Sequence, residues 1–127
     1  MVTAERIERT TLKNLLHNED YTRKVLPFLK AEYFDDRKER IVFDEIRKFI
    51  DQYNKRPTKE TLQIDIGKRK DLNEDEYKQI VDLISTLNKE EIDLDWLVNT
   101  TEKFCKDRAV HNAVMDGIHI LDGKDKK

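Results

Sequence analysis

The chain has 127 residues, of which 41% are charged and 37% hydrophobic, with three Gly and two Pro. A sequence of this length forms about one domain and can bury a core without disulfides or metal ions. Scarce Gly and Pro favour helices over a turn-rich β sandwich. No apolar stretch approaches the ~20 residues that span a bilayer, and none follows Met1 as a signal peptide would. We therefore expect a cytoplasmic protein that contacts no membrane.

Charge distribution and glycine spacing disfavour two classes of site. Gly67, Gly117 and Gly123 lie too far apart for a phosphate-binding loop or a dinucleotide fingerprint. Residues 1–70 carry 17 basic and 13 acidic groups, a net +4, and residues 71–127 carry 8 and 14, a net −6. Neither part has the concentrated basic face of a nucleic-acid binder. A small helical module that binds single-stranded nucleic acid, through the basic part, stays open as an alternative.

The first helices follow from the spacing of apolar residues. A helix is predicted from about Ala4 to His17, with Glu5 and Arg9 spaced to form an ion pair on its solvent side. A second, short helix is predicted from Asp20. It is interrupted at Pro27, because the proline ring removes a backbone donor and clashes with the preceding turn.

The strongest helical signal runs from about Asp36 to Tyr53. Its apolar and aromatic residues recur at helical spacing, namely Val42, Ile46, Phe49, Ile50 and Tyr53. On the opposite face, Asp36 is spaced to pair with Arg40. Asp44 is likewise spaced to pair with Lys48.

Aromatic residues interleave with Lys and Arg along the first half of the chain, at Tyr21, Phe28, Tyr33, Phe34, Phe43 and Tyr53. Single-strand binders use such a pattern to stack bases. In an all-helical chain the same residues more often form the core, and we favour that interpretation. Tyr33 and Phe34, in the connector before the strong helix, are expected to fill the core.

A shorter helix is predicted after Pro57, with Thr58 as its cap and Gly67 as its stop. Leu62, Ile64 and Ile66 alternate with polar residues as a strand would. We nevertheless predict a helix, because a lone strand would have nothing to pair with. A further helix starts at Asn73, which with Glu76 resembles a capping box, and ends near Asn88.

The final helix is predicted from Trp96 to about Leu121, with Asp95 as its cap. At 1.5 Å per residue it spans about 39 Å, whereas a compact head of residues 1–95 has a radius of gyration near 12 Å. The helix is therefore expected to overhang the head. Its C-terminal half is apolar on more than one side, through Val110, Val114, Met115, Ile118, Ile120 and Leu121. Since the tail at 123–127 is charged, another chain or further sequence must cover these residues.

Catalytic and metal sites are weakly indicated. His111 and His119 lie about 12 Å apart along a helix, too far to share a metal ion. Cys105 is expected to pack as a small apolar residue rather than to act as a nucleophile. The pairs Asp35–Asp36 and Glu90–Glu91 could hold Mg²⁺ in a metal-dependent enzyme, but acidic residues are also expected at helix starts. We predict no catalytic, cofactor-binding or metal-ligating residue.

The candidate site is instead a protein interface on the last helix. Its predicted members are Trp96, Phe104, Val110, Val114, Met115 and Ile118. Trp96 is either a plug between the head and the helix or an anchor of the interface, and the sequence does not separate these roles.

The order of motifs resembles the N-terminal domain of hexameric replicative DNA helicases of the DnaB type, in particular the T4-like phage form. The resemblance rests on LKNLL at 12–16, KAEYF at 30–34, IVFDEI at 41–46, RPT at 56–58, DWLV at 95–98, TEKF at 101–104 and RA at 108–109. It covers roughly residues 5–121.

This resemblance implies an all-α fold, with a compact head of about five helices over residues 1–95 and the first arm of a helical hairpin over 96–122. Such hairpins form a collar that pairs subunits within a hexamer. The collar also receives the primase, and a helicase loader is a further expected partner. The fragment would be noncatalytic, because the motor of the parent ATP-dependent 5'-3' helicase, with its ATP, Mg²⁺ and most DNA contacts, lies outside this chain. The expected location is the cytoplasm of a phage-infected bacterium.

Overall fold

A computed structural model describes the backbone of residues 4–121 and the side chains of residues 6–118. Within that range every regular element is helical, which confirms the all-α prediction. The α-helices are α1 (Ala4–His17), α2 (Glu19–Val25), α3 (Arg37–Tyr53), α4 (Lys59–Gly67), α5 (Glu74–Ser85) and α6 (Leu94–Leu121). Single 3₁₀ turns lie at Leu26–Phe28 and Ala31–Tyr33. The tail at 123–127 and the side chains of His119, Ile120 and Leu121 lie outside the described residues.

The junction of α1 and α2 differs from the prediction by one residue. α2 begins at Glu19 instead of Asp20, and Asn18 caps it, because its Oδ1 accepts the Tyr21 amide at 3.1 Å. Pro27 ends α2 by entering a 3₁₀ turn, as predicted. In α1, Arg9 donates its Nε to Glu39 on α3 at 3.0 Å. The side chain of Glu5, its predicted partner, lies outside the described residues.

The start of α3 shows why one predicted ion pair is wrong. Asp36 lies outside the helix as its cap and accepts the Lys38 amide at 2.9 Å. The Asp36 side chain is therefore used at the N-terminus of the helix and does not pair with Arg40, although the Arg40 amide donates to the Asp36 carbonyl oxygen at 3.0 Å. The Arg40 guanidinium instead donates to the carbonyl oxygens of Phe34 and Asp35, both at 2.8 Å. This arrangement ties the connector to α3.

Two side chains near the middle and end of α3 also differ from the prediction. Lys48 lies 3.6 Å from Glu45, three residues before it, instead of pairing with Asp44, four residues before it. Tyr53 is 52% exposed. Its ring lies 4.7 Å from that of Phe49, so it covers the end of the apolar stripe from outside rather than extending the core.

The apparent strand in α4 is a helix, as predicted. Leu62 and Ile66, one turn apart, are buried, whereas Ile64 between them is 59% exposed. Leu62 and Ile66 fit both the alternation of a strand and the spacing of a helix, whereas Ile64 fits only the alternation. Thr58 caps the helix by accepting the Thr61 amide at 3.1 Å.

The start of α5 is the predicted capping box. The Asn73 side chain accepts the Glu76 amide at 2.7 Å, and the Glu76 carboxylate accepts the Asn73 amide at 3.2 Å. The helix ends at Ser85, three residues before the predicted end at Asn88. His17, from the end of α1, lies 2.8 Å from the carbonyl oxygen of Leu87 and so ties the two ends together.

The core of the head contains most of the interleaved aromatic residues. Tyr21, Tyr33, Phe34 and Phe43 are buried, and the rings of Phe34 and Phe43 stack with centroids 5.2 Å apart. The prediction that these residues form the core, rather than a base-stacking surface, is confirmed for these four.

The long helix α6 starts earlier than predicted and with a different cap. Its cap is Asp93, because the Oδ2 of this residue accepts the Trp96 amide at 2.8 Å. Asp95 is already in the first turn of a helix of 28 residues. The N-terminal part of α6 packs on α1, α2 and the 3₁₀ turn at residues 31–33.

Candidate protein interface

One side of α6 is buried against the head. Leu97, Thr101 and Cys105, each four residues from the next, form this head-facing side. The Tyr21 hydroxyl and the Thr101 Oγ1 lie 2.7 Å apart inside it, and burial raises the pKa of Tyr21 to about 12. Burial also raises the pKa of the Cys105 thiol to about 12. Cys105 is therefore a packing residue, as predicted.

Arg108 fixes α6 where the helix leaves the head. Its two terminal nitrogens lie 2.7 and 2.6 Å from the two carboxylate oxygens of Asp35, a bidentate pair. One of them also lies 3.3 Å from Glu8 on α1, and the guanidinium carbon is 5.4 Å from the ring centroid of Phe104. Farther along, Asn112 donates to the carbonyl oxygen of Glu32 at 3.4 Å.

Two buried carboxyl groups, Glu8 and Glu39, lie next to the Arg108–Asp35 ion pair, which we call the clamp. Glu8 accepts the Asp35 amide at 3.1 Å in addition to Arg108. The neighbouring Glu39 is fully buried, and its Oε1 has no hydrogen-bond partner. Burial raises the pKa of Glu39 to about 7, with a further contribution from the Glu8 carboxylate and an opposing one from Arg9. The attachment of α6 thus depends on a dense set of charges.

The opposite side of α6 faces solvent. We call this solvent-facing side the outer face. Its residues follow one another at alternating distances of four and three positions along the sequence, namely Trp96, Thr100, Lys103, Asp107, Val110 and Val114. Trp96 is 46% and Val114 55% exposed. They are eighteen residues, or five turns, apart and therefore point in the same direction. Ile118, which flanks this face, is also exposed. Met115 is exposed as well, but it lies eighteen residues after Leu97 and so points in the direction of the head-facing side.

Five of the six predicted interface residues are therefore exposed, and one is not. Phe104 is buried against the head, so its expected place in an exposed interface is wrong. Its direction on the helix lies closer to Arg108 and the head than to Val114. With Ile7 and His111 it lines a shallow depression of about 360 Å³ beside α1.

Around Gly117, α6 is open to solvent. A Cβ atom placed on Gly117 would meet nothing within 4 Å. Val114 and Ile118 lie on either side of this open position and are exposed. Large apolar side chains in such a position are typical of a surface that another element covers.

The acidic pairs have structural roles in the described part of the chain. Asp35 pairs with Arg108, and Asp36 caps α3. Glu90 lies 3.9 Å from Lys13. Among the side chains of residues 6–118, no three His, Cys, Asp or Glu are grouped as a metal site would require.

Three arginines of the head that line one depression contact other groups of the protein. A depression of about 670 Å³ between α2 and the end of α3 is lined by several cations, including Arg23, Arg47 and Arg56. Arg23 contacts carboxylates of α2, Arg47 donates to the carbonyl oxygen of Leu29 at 3.1 Å, and Arg56 donates to that of Leu16 at 3.0 Å. Arg47 and Arg56 thus satisfy carbonyl groups near helix ends, which is an ordinary structural role.

The helices placed by the structure include none with the length and apolarity needed to cross a bilayer. No protein-family model matches the chain. A DnaB-like replicative helicase of Enterobacteria phage T4 is 31% identical over 109 residues, which is 86% of this chain. The resemblance to DnaB-type helicases is confirmed. The chain spans 23% of the length of that helicase.

Proposed function

We propose that the chain is a noncatalytic collar domain of a DnaB-type phage replicative helicase, and that the outer face of α6 pairs subunits during ring assembly. In this proposal residues 1–95 form the head and residues 96–122 the first arm of a hairpin. The observation that carries the proposal is the exposure of Val110, Val114 and Ile118 on a helix that extends past its own head.

The similarity to a replicative helicase supports the wider setting. The motor that hydrolyses ATP with Mg²⁺ and moves 5'-3' on DNA would belong to the remainder of the parent protein. The collar would also receive the primase and a helicase loader, and the complex would act in the cytoplasm of the infected host. These assignments rest on the similarity, whereas subunit pairing also rests on the geometry of α6.

The geometry suits an interface better than a catalytic site. The bidentate pair of Arg108 with Asp35 holds α6 on the head and leaves the outer face of the helix in solvent. A partner helix on that surface would bury apolar area at about 25 cal/mol per Å² before the cost of association. An interface of standard size buries about 1,600 Å² in total.

Sedimentation equilibrium of the 127-residue chain tests the proposal. The wild-type chain is expected to self-associate, and the double variant Val114→Asp/Ile118→Asp to remain monomeric with unchanged helical circular dichroism. Two carboxylates in a packed apolar interface would lack partners, which is strongly unfavourable.

The matched control places the same two charges on the head. Tyr53→Asp/Ile64→Asp changes two residues that are as exposed as Val114 but lie on α3 and α4. This control is expected to self-associate like the wild type. A wild-type chain that stays monomeric would contradict the proposal. Self-association of the Val114→Asp/Ile118→Asp variant like that of the wild type would also contradict it.

A further inference from the structure

We propose that the depression between α2 and the end of α3 is a docking site for an acidic segment of another protein, one that also carries apolar side chains. We call this depression the α2–α3 groove. Its volume of about 670 Å³ falls in the range of roughly 300 to 1,000 Å³ that is typical of binding pockets. The groove is lined by residues of the head and by none of the outer face of α6. The proposal therefore does not depend on subunit pairing.

The groove concentrates positive charge on a chain whose net charge is −2. Four cations and one carboxylate line it, a net charge of +3, namely Arg23, Arg47, Lys55, Arg56 and Glu19. Outside this lining, Asp20 lies 3.4 Å from Arg23, and Asp51 lies 3.9 Å from Arg47. These two ion pairs are solvent-exposed and therefore weak. When both carboxylates are counted, the groove still carries a net charge of +1.

Two of the arginines are fixed in position without being neutralised. The Nη1 of Arg47 donates to the carbonyl oxygens of Leu26 and Leu29 at 3.2 and 3.1 Å. The Nη1 of Arg56 donates to that of Leu16 at 3.0 Å. A carbonyl group has no net charge, so these bonds hold each guanidinium in place but leave its positive charge available. Cations that are already ordered lose less conformational entropy when a carboxylate binds.

The end of α3 places two further charges at the groove. Asn54 ends the helix in the left-handed conformation, with φ of 58°, and Lys55 and Arg56 follow it directly. Both cations line the groove, and neither forms an ion pair with a described residue. Lys55 is exposed. A carboxylate of a partner would therefore compensate charge that the described part of the chain leaves uncompensated.

Apolar side chains lie beside these cations. Leu26, Pro27 and Ile50 line the groove, and each keeps part of its surface in solvent. An inorganic anion would pair with the cations but leave this apolar surface uncovered. A peptide segment that carries both carboxylates and apolar side chains would cover both parts of the groove.

Single-stranded nucleic acid fits the groove less well. Single-strand binders stack bases on aromatic rings, but the groove residues in the described part of the chain include no aromatic side chain. The carboxylates of Glu19, Asp20 and Asp51 lie next to the cations and would repel a continuous phosphate backbone. A peptide can place single carboxylates at the cations alone.

Selection from a random peptide display library, with the 127-residue chain as target, tests the proposal. The selected peptides are expected to combine Asp or Glu with Leu, Ile or Phe. A synthetic peptide of the most frequent sequence should shift the amide NMR signals of residues 22–27 and 47–56 in the isotope-labelled chain. Arg23→Glu/Lys55→Glu reverses two exposed cations of the groove and should weaken binding of that peptide at least about tenfold, measured by fluorescence anisotropy.

A matched control makes the same change in charge outside the groove. Lys24→Glu/Lys78→Glu changes two exposed lysines, on α2 and α5, that do not line the groove. This control should bind the peptide like the wild type, with circular dichroism to confirm that both double variants fold. If Arg23→Glu/Lys55→Glu unfolds, Lys55→Glu alone serves instead, because Lys55 forms no ion pair with a described residue.

Three outcomes would contradict the proposal. The first is a selection that yields no binder or only peptides without acidic residues, and the second is an equal loss of binding in the two double variants. The third is a different occupant of the groove. Single-stranded DNA that binds the wild type but not the groove variant would identify nucleic acid as that occupant. Weaker self-association of the groove variant in sedimentation equilibrium would identify a second copy of the chain.

Discussion

The head-facing side and the outer face of α6 belong to one helix but have opposite surroundings. On the head-facing side, Leu97 and Thr101 are buried, and Arg108 forms a bidentate ion pair with the head. On the outer face, Val110 and Val114 extend into solvent. The difference shows that one apolar side of the helix stabilises the fold, whereas the other is available to a partner. Substitutions on the head-facing side should therefore lower the free energy of unfolding, whereas substitutions on the outer face should weaken self-association.

The largest expected difference is between two apolar truncations. Phe104→Ala removes a buried ring and should lower the free energy of unfolding by about 4 kcal/mol. Val114→Ala, on the exposed side, should change it by less than about 0.5 kcal/mol at concentrations where the chain is monomeric. Urea unfolding of the dilute protein measures both. Equal losses would mean that the outer face is packed within the single chain.

Breaking the clamp should have the next largest effect. Arg108→Ala leaves the buried Glu8 carboxylate without its cation and should cost about 3 kcal/mol. Lys103→Ala removes an exposed ion pair of the same helix and should cost about 0.5 kcal/mol or less. Chemical unfolding of the dilute variants at pH 7 compares the two. A cost for Arg108→Ala no larger than that for Lys103→Ala would show that the clamp does not hold the helix.

A smaller effect is expected from the buried carboxyl group beside the clamp. The pKa of Glu39 is raised in the folded chain, so the folded state binds more protons than the unfolded state between about pH 4.5 and 7. The contribution of Glu39 to stability therefore falls as pH rises through this window and is lowest above it. Glu39→Gln stays neutral and should make the variant more stable relative to the wild type as pH rises, by roughly 2 kcal/mol across the window.

The control for this pH dependence is an exposed carboxylate on α6. Glu102→Gln removes a carboxylate that lies in solvent, and its stability relative to the wild type should stay nearly constant over the same pH range. Thermal unfolding from pH 4 to 8 measures both variants. A Glu39→Gln curve parallel to that of the wild type would rule out the raised pKa.

Local signals in the sequence were enough to predict most of the fold. The capping box at Asn73 and the helix after Thr58 follow from short-range hydrogen bonding, and both are present. The wrong or missing details concern side-chain contacts that helical spacing does not determine. Arg40 bonds to connector carbonyls instead of Asp36, and Arg108 meets Asp35 seventy-three residues away. Helical spacing contains no information on such contacts.

The candidate interface was predictable only in part, because helical spacing identifies apolar sides of a helix but not which side the head covers. The spacing of Val110, Val114 and Ile118 identified an apolar surface, and these residues are exposed. Periodicity alone could not separate them from Phe104, because the helix is apolar on two sides and only the packing of the head decides which side is covered.

The most direct test of the central claim uses Trp96, the one tryptophan of the chain. If a second copy covers the outer face, the fluorescence emission of Trp96 should shift to longer wavelength on dilution. The shift should occur at the concentration at which sedimentation shows that the dimer dissociates. Val114→Asp should show the long-wavelength emission at every concentration. A wild-type emission that stays constant while the mass changes would contradict the account, because Trp96 would then lie outside the surface that joins the two copies.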